Sequence, residues 1–582
     1  MIDPRAHVVQ RILEAVGELP DELRDRIALS PPKNKDHGDL AFGAFQVAKH
    51  KGEPPPKVAA EIQQALTQAA ESGDEWIESA SAAGPFVNIK LKREAIARQA
   101  IAAAFANAAP FGPAESNGRS IVVDFSSPNI AKPFHMGHLR STVIGAALCR
   151  IHRHLGSEVH GVNHLGDWGM PFAKMMTAWM HFGDQAELEK NPMRHMFELY
   201  KRYGQAAKEN PALDQEAAAH FQALESGEDN EERRMWKFLR DESLKAFQGP
   251  YDRLQVTFDH FTGESFYEDK IPAALERVES KGVLEKDEGA DVVQLKELGI
   301  KVPCLLRKSD GTTLYHTRDL AAVFYRDETF HPDRILYVVG AEQKLHFQQL
   351  GAVLQKMNEP VAPKIEHVPF GLILAKNEES GKWEKFASRG GNAIFLDEVL
   401  DEAVAQVRKI IEEKNPDLAD KDQVAEQIGV SAIVFNDLKN GRIKDVKFDW
   451  DQMLNFEGET GPYVQYAVAR ISGILRKCEV DPEDTSLGND VDWSLLSDAD
   501  QLLLTAWDFG PSVQRAAEQS EPSVITNYAI RLAGEVHSYL REHRVLDAEP
   551  ATKAARIALV AAVRRVLKTA LDLIGVAAPD EM

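Results

Sequence analysis

Between residues 120 and 163 an apolar, β-branched stretch, SIVVDFS, passes through a helical pattern into a second apolar stretch, EVHGVNHLG. No other feature narrows the fold as far. Leu139, Val143, Ala147 and Ile151 recur at every fourth position, marking one buried helical face, and Gly156 follows as a stop signal. A strand, a helix and a strand within about 45 residues predict a right-handed βαβ unit in a parallel sheet. RILYVVG (334–340) and HVPFGLILA (367–375) predict further buried strands.

A chain of 582 residues is too long for one core. Residues 1–112 mix helical and extended signals, including the amphipathic AEIQQALTQAA and the strand GPFVNIKL. Residues 184–290 are charged and helix-rich, as an insertion would be, and the chain from 397 onward reads as helical apart from the loop EVDPEDTSLGNDVDW. No stretch reaches the roughly 18 apolar residues a membrane helix needs. The first twenty residues lack a basic start followed by an apolar run, and Asp3 and Glu14 do not suit a transit peptide. Cys149, Cys304 and Cys478 form neither a CxxC pair nor a disulfide pattern, which predicts a reduced, cytoplasmic protein. With 68 Lys and Arg against 90 Asp and Glu, the formal charge is −22. That charge counts against general affinity for a phosphate backbone, so any nucleic acid must bind at local basic patches.

Ligands of parallel sheets collect at the carboxyl ends of strands, where the first strand runs into SSPNIAKPFHMGHLRST. His135 and His138 share a face if the helix begins near Pro133, and Gly137 between them would let a flat ligand approach the backbone. Two imidazoles at a helix N-terminus suit charge on a transferring phosphoryl group. Helix capping is the alternative for the same residues. Zinc is disfavoured, because His152, His154, His160 and His164 come without an HExxH or a cysteine pair. No GxxxxGK[ST] loop is present.

The run SSPNIAKPFHMGHLRSTVIGAALCR, followed by VNHLGDWGMPF, closely resembles the first signature of class I aminoacyl-tRNA synthetases in its arginyl form. The resemblance continues through YHTRDLAAVFYR, VVGAEQKLHFQQL, KFASRGGNAIFLDEVL, GETGPYVQYAVARI and LDLIGVAAPDEM, in the family's order and over nearly the whole chain. It implies ATP-dependent joining of L-arginine to tRNA(Arg), with Mg²⁺ accompanying the nucleotide and no metal caged by the protein. The fold expected is α/β. A Rossmann-type parallel-sheet catalytic core (113–396, with the helical insertion near 184–290) follows an N-terminal α+β tRNA-binding domain (1–112). A helical stem-contact connector (397–454) and an all-α anticodon-binding domain (455–582) complete it. A cytoplasmic monomer without membrane contact is expected.

By the same resemblance His135, Gly137 and His138 would contact ATP, the two histidines stabilising the transition state. Tyr315 and Asp319, four apart, would meet the substrate guanidinium with Gln343, although a helix N-cap is the local alternative for Asp319. Asp124 and Asn129 would hold the α-amino group. The second signature is worn: KFASRGGN keeps Lys385 and Arg389 but has Ser388 where class I enzymes carry a second lysine. Lys132, three residues before His135, is the candidate for the missing cation, with Lys385 or Arg389 assisting. Arg564, Arg565 and Lys568 lie near one another on a C-terminal helix, either as a tRNA contact or as a solvated face. A catalytically silent homologue and a class I enzyme for another amino acid are the rival readings. Intact Asn129, His135, His138 and Asp319 count against the first, and Asp319 with Tyr315 against the second.

Overall fold

A computed structural model places the strand–helix–strand pattern at the centre of a five-stranded sheet whose pairings are all parallel. Its elements are β1 (Ser120–Asp124), α1 (Met136–His154), β2 (Glu158–Asn163), α2 (Glu231–Arg253), β3 (His260–Phe261), α3 (Tyr315–Phe330), β4 (Arg334–Tyr337), α4 (Lys344–Lys356) and β5 (Ile365–His367). The spatial order is β5-β4-β1-β2-β3. Chain direction across the sheet therefore reverses between β1 and β4, and such a reversal opens a crevice beyond the carboxyl ends of the two strands. Register pairs Asp124 with Tyr337 on one side and with Val162 on the other, so the loops after β1 and β4 begin level with each other. The structure describes residues 4–24, 26–30, 32, 37–106, 111–112, 115–130, 134–226, 229–377, 380–385, 395–489 and 491–582, with the side chain of Met193 left aside.

Ile121, Val122 and Val123 are buried, as a central parallel strand covered on both faces requires. Along α1 the four predicted positions are buried, and Gly156 follows the helix with a left-handed φ of +83°. The helix starts at Met136 with His135 as N-cap, rather than near Pro133, which lies outside the described residues. The 184–290 region folds as helices Gln185–Lys190, Pro192–Glu209 and Ala212–Glu225 and then α2, but it also supplies β3, which pairs with β2. Two residues carry no periodicity, so this edge strand could not be read from the pattern. Helices Leu396–Lys414 and Lys421–Leu438 meet through Val407, Ile411, Ala425 and Ile428.

The core belongs to a unit of Phe111–Ile474, Phe509–Gly534 and Val566–Met582; a second unit comprises Met1–Pro110, Leu475–Asp508 and Glu535–Arg565. In that second unit strands Leu40–Gly43, Phe86–Leu91 and Ile77–Ala83 form an antiparallel sheet in that order. Helix Pro55–Glu71, with Val58, Ile62 and Leu66 buried, packs against it. Arg564 and Arg565 are only 2% and 7% exposed and both pair with Glu483, at 2.7 and 2.5 Å. Their guanidiniums are buried against a half-exposed Glu483 and form neither the solvated face nor the tRNA contact that their charge suggested; Lys568 pairs with Asp580. Among the described residues no helix is long and apolar enough to cross a membrane.

Candidate functional site

A cavity of about 630 Å³ opens where the strand order reverses, and most of the predicted site residues line it. Asp124, Asn129, His135, Gly137, His138, Tyr315, Asp319, Gln343 and Lys385 all face this one space. Lys132 and Arg389, with Ser388, lie outside the described residues.

The loop after β1 is held in an unusual backbone state. Ser126 and Ser127 both have left-handed φ, +68° and +47°, which costs non-glycine residues about 1–3 kcal/mol each. A hydrogen-bond network sustains it. Ser141 Oγ accepts from the Ser126 amide at 2.9 Å and donates to the Val338 carbonyl at 2.6 Å, tying β1, α1 and β4 together. Thr142 donates to Ser126 Oγ, which also bonds the Tyr251 hydroxyl.

His135 caps α1: its Nδ1 accepts the Gly137 amide at 2.9 Å, while His138 Nδ1 accepts the His135 amide at 3.2 Å. The rings stack at 4.0 Å. Because each Nδ1 accepts a backbone proton, each neutral imidazole carries its own proton on Nε2. Capping and ligand contact thus belong together, since capping aims two Nε2–H donors. Gly137 is needed for the imidazole itself: a Cβ there would lie 2.6 Å from His135 Cε1.

At the other end, α3 begins at Tyr315 with Leu314 as cap, so Asp319 sits one turn inside the helix and is not its N-cap. One turn apart, Tyr315 and Asp319 share a face. Asp319 accepts from His346 Nε2 at 2.5 Å. Burial alone would raise its carboxyl, but the His346 hydrogen bond and the nearby His346, His164 and Arg326 charges hold it below the usual range. Gln343 follows β4 on the 3₁₀ turn Ala341–Gln343. Asp124 is paired with Arg326, which is 1% exposed, at 2.8 Å, and Ser127 Oγ donates to its other oxygen at 3.0 Å. Asn129 bridges to Gly166.

Among the lining residues that the sequence did not single out are His346 and Glu264. His346 lies in the quoted VVGAEQKLHFQQL, where nothing local connects it to Asp319, 27 positions away. Glu264, in the stretch read as an insertion, also faces the cavity, and its carboxyl is pushed up to about 8. Burial is the main cause; Arg318 opposes it, and the Asp167, Asp319 and Glu268 charges add to it. The cavity is therefore polar, lined by the imidazoles of His135 and His138 and by the clustered carboxyls of Asp319 and Glu264.

Three family descriptions match the chain: "tRNA synthetases class I (R), catalytic domain" over residues 100–450, "DALR anticodon binding domain" over 464–582, and "Arginyl tRNA synthetase N terminal domain" over 6–91. The chain is 46% identical over 555 residues to an arginine–tRNA ligase of an Exiguobacterium species, with 95% of both chains covered. It is 43% identical over 560 residues to one from Streptococcus pneumoniae, again covering 95% of each. Its fold is similar to that of Thermus thermophilus arginyl-tRNA synthetase, with a TM-score of 0.83, 26% identity and 99% of each chain covered.

Proposed function

The chain belongs to the arginyl-tRNA synthetase family, and, with ATP-dependent ligation of arginine to tRNA as its activity, we propose how the cavity divides that reaction among its residues. In the first step arginine's carboxylate attacks the α-phosphate of ATP and pyrophosphate leaves; a ribose hydroxyl at the tRNA 3′ end then takes the arginyl group. Charge grows on the phosphoryl oxygens, so oriented donors contribute most there. The Nε2–H groups of His135 and His138 are those donors, with the nucleotide lying along Gly137 toward Lys385. Lys132, assisted by Lys385 or Arg389, supplies the cation that Ser388 lacks. Mg²⁺ enters as the nucleotide's counter-ion; among the described residues no group of three His, Cys, Asp or Glu side chains could hold a metal.

The guanidinium occupies the acidic end. Asp319, Tyr315 and Gln343 receive it, with Glu264 as a second carboxyl, which suits a planar group with five donors. Asp124, sharing its charge with Arg326, holds the α-amino group together with Asn129. The observation that supports this reading is that Nε2-presenting histidines and the Asp319–Glu264 pair face one cavity at the β1/β4 reversal. We assign tRNA binding to residues 1–112 and to the helices of 455–582, and a cytoplasmic monomer to the protein as a whole; the scattered free cysteines agree with a reducing compartment. ATP–pyrophosphate exchange with each standard amino acid, with and without tRNA, tests the assignment. Arginine with tRNA is the combination expected to work. Robust exchange with lysine or glutamine would refute the guanidinium site, and exchange without tRNA would refute the expected dependence on it.

A further inference from the structure

The segment VNHLGDWGMPF carries an aspartate and a tryptophan that the reaction above leaves without a role. Asp167 has no exposed surface, and a buried carboxylate is costly unless its oxygens are met. Groups from distant parts of the chain meet them. Oδ1 accepts the Ser265 amide at 2.9 Å; Oδ2 accepts Ser265 Oγ at 2.7 Å and Arg240 Nε at 3.1 Å. The Trp236 indole N–H donates to the Asp167 carbonyl at 2.7 Å, and the Trp168 ring meets Trp236 edge-on at 5.9 Å.

Ser265 is the second residue of the 3₁₀ helix Glu264–Lys270, whose cap position is Gly263. Glycine offers no capping side chain, yet the first amides of a helix need acceptors. Asp167 supplies one from 98 positions away. It can approach because Gly263 has no Cβ, which would lie 2.5 Å from Oδ1. The Glu264 amide itself donates to the Leu165 carbonyl at 2.9 Å. The residue that faces the cavity is therefore gripped through two successive amides by the loop after β2, and that loop is gripped by α2.

We propose that Asp167, braced by Arg240 and Trp236 of α2, is a positioning residue that holds the Glu264 carboxyl at the guanidinium end of the cavity, so that the helical insertion sets the affinity for arginine. The proposal rests on reading Glu264 as a guanidinium partner, and the two fail differently. The test is steady-state aminoacylation by the full chain with arginine tRNA, measuring KM for arginine and for ATP in Glu264→Gln, Asp167→Ala, Asp167→Asn, Arg240→Gln and the double variant Arg240→Gln/Glu264→Gln. Glu264→Gln is expected to raise KM for arginine about tenfold, and Arg240→Gln about fivefold, with KM for ATP changed by less than about twofold. Asp167→Asn keeps an acceptor for the Ser265 amide and should retain part of what Asp167→Ala loses. The double variant should be no worse than Glu264→Gln alone, because the brace acts through that carboxyl.

If Glu264→Gln raises KM for arginine while Arg240→Gln does not, the brace is refuted and the guanidinium reading stands. If Glu264→Gln changes nothing, the reading of Glu264 falls and the proposal with it. Equal rises in KM for arginine and ATP, or additive effects in the double variant, would make Asp167 a general structural residue and overturn the proposal. Should Asp167→Ala fail to fold, Arg240→Gln and Trp236→Phe leave the carboxylate in place and decide the matter.

Discussion

Arginine binding should expel a proton from Glu264. Partial burial in the cavity pushes its carboxyl up to about 8, with the Asp319, Asp167 and Glu268 charges adding to the shift against Arg318. Below that pH the group is mostly protonated and offers a guanidinium no charge; a bound guanidinium favours the carboxylate. Apparent affinity then scales with the ionised fraction, about 1% at pH 6 and about one half at pH 8. The dissociation constant for arginine should therefore fall about 50-fold between pH 6 and pH 8 and level off above, in the direction opposite to acid-favoured binding. Calorimetric titration in two buffers of different ionisation enthalpy counts the proton, and about 0.9 should be released per arginine at pH 7. His164 and His346 also face this end, so Glu264→Gln is the control and should flatten the profile. A flat profile in the unaltered protein, or an unchanged slope in Glu264→Gln, would refute the reasoning.

Asp319→Ala should lower kcat/KM for arginine by about two to four decades, the consequence of roughly 3–5 kcal/mol lost when a buried guanidinium has no partner; ATP binding should persist, and a loss below about fivefold would contradict the assignment. His138→Ala should slow adenylate formation about 10²–10³-fold, as for one oriented donor, in a chain that still folds and binds tRNA by circular dichroism and filter binding. Lys132→Ala should add about 2–4 kcal/mol to the activation barrier, and Ser388→Lys in that background should restore part of it; single-turnover arginyl-adenylate formation with tRNA present reads both. In the N-terminal unit Asp74 is held at about 2, despite burial, by His7 and by the amides of Trp76 and Ile77. A depressed carboxyl stabilises the fold above its unfolded value near 3.8, and that stability, about 2 kcal/mol, disappears as pH falls through 2. Asp74→Ala should accordingly unfold at lower urea near pH 7, with the difference closing toward pH 2.

Local patterns made the core and half of the site legible. The period of four along Leu139, Val143, Ala147 and Ile151, between two β-branched runs, established α1 and its flanking strands, because burial of one helical face depends on spacing alone. His135, His138, Tyr315 and Asp319 were legible because they sit in short motifs of fixed spacing. From the sequence alone, capping by His135 competes with ligand contact, whereas the folded chain uses the one to aim the other. Arg564 and Arg565 misled, since charge in a helical sequence says nothing about whether Glu483 reaches in to meet it.

The amino-acid order by itself determined the parallel α/β core, the histidine pair at a strand end and the family to which the chain belongs, all of them consequences of contiguous residues. Only the tertiary structure decided the strand order β5-β4-β1-β2-β3, and with it the position of the crevice. It alone brought His346 to Asp319 and Ser265 to Asp167, contacts that span 27 and 98 positions. It alone half-buried Glu264 beside other carboxyls and so raised its proton affinity. The reason is physical: periodicity and capping act within a few turns of chain, whereas desolvation and charge pairing depend on which distant segments close over a group, and no local pattern records that closure.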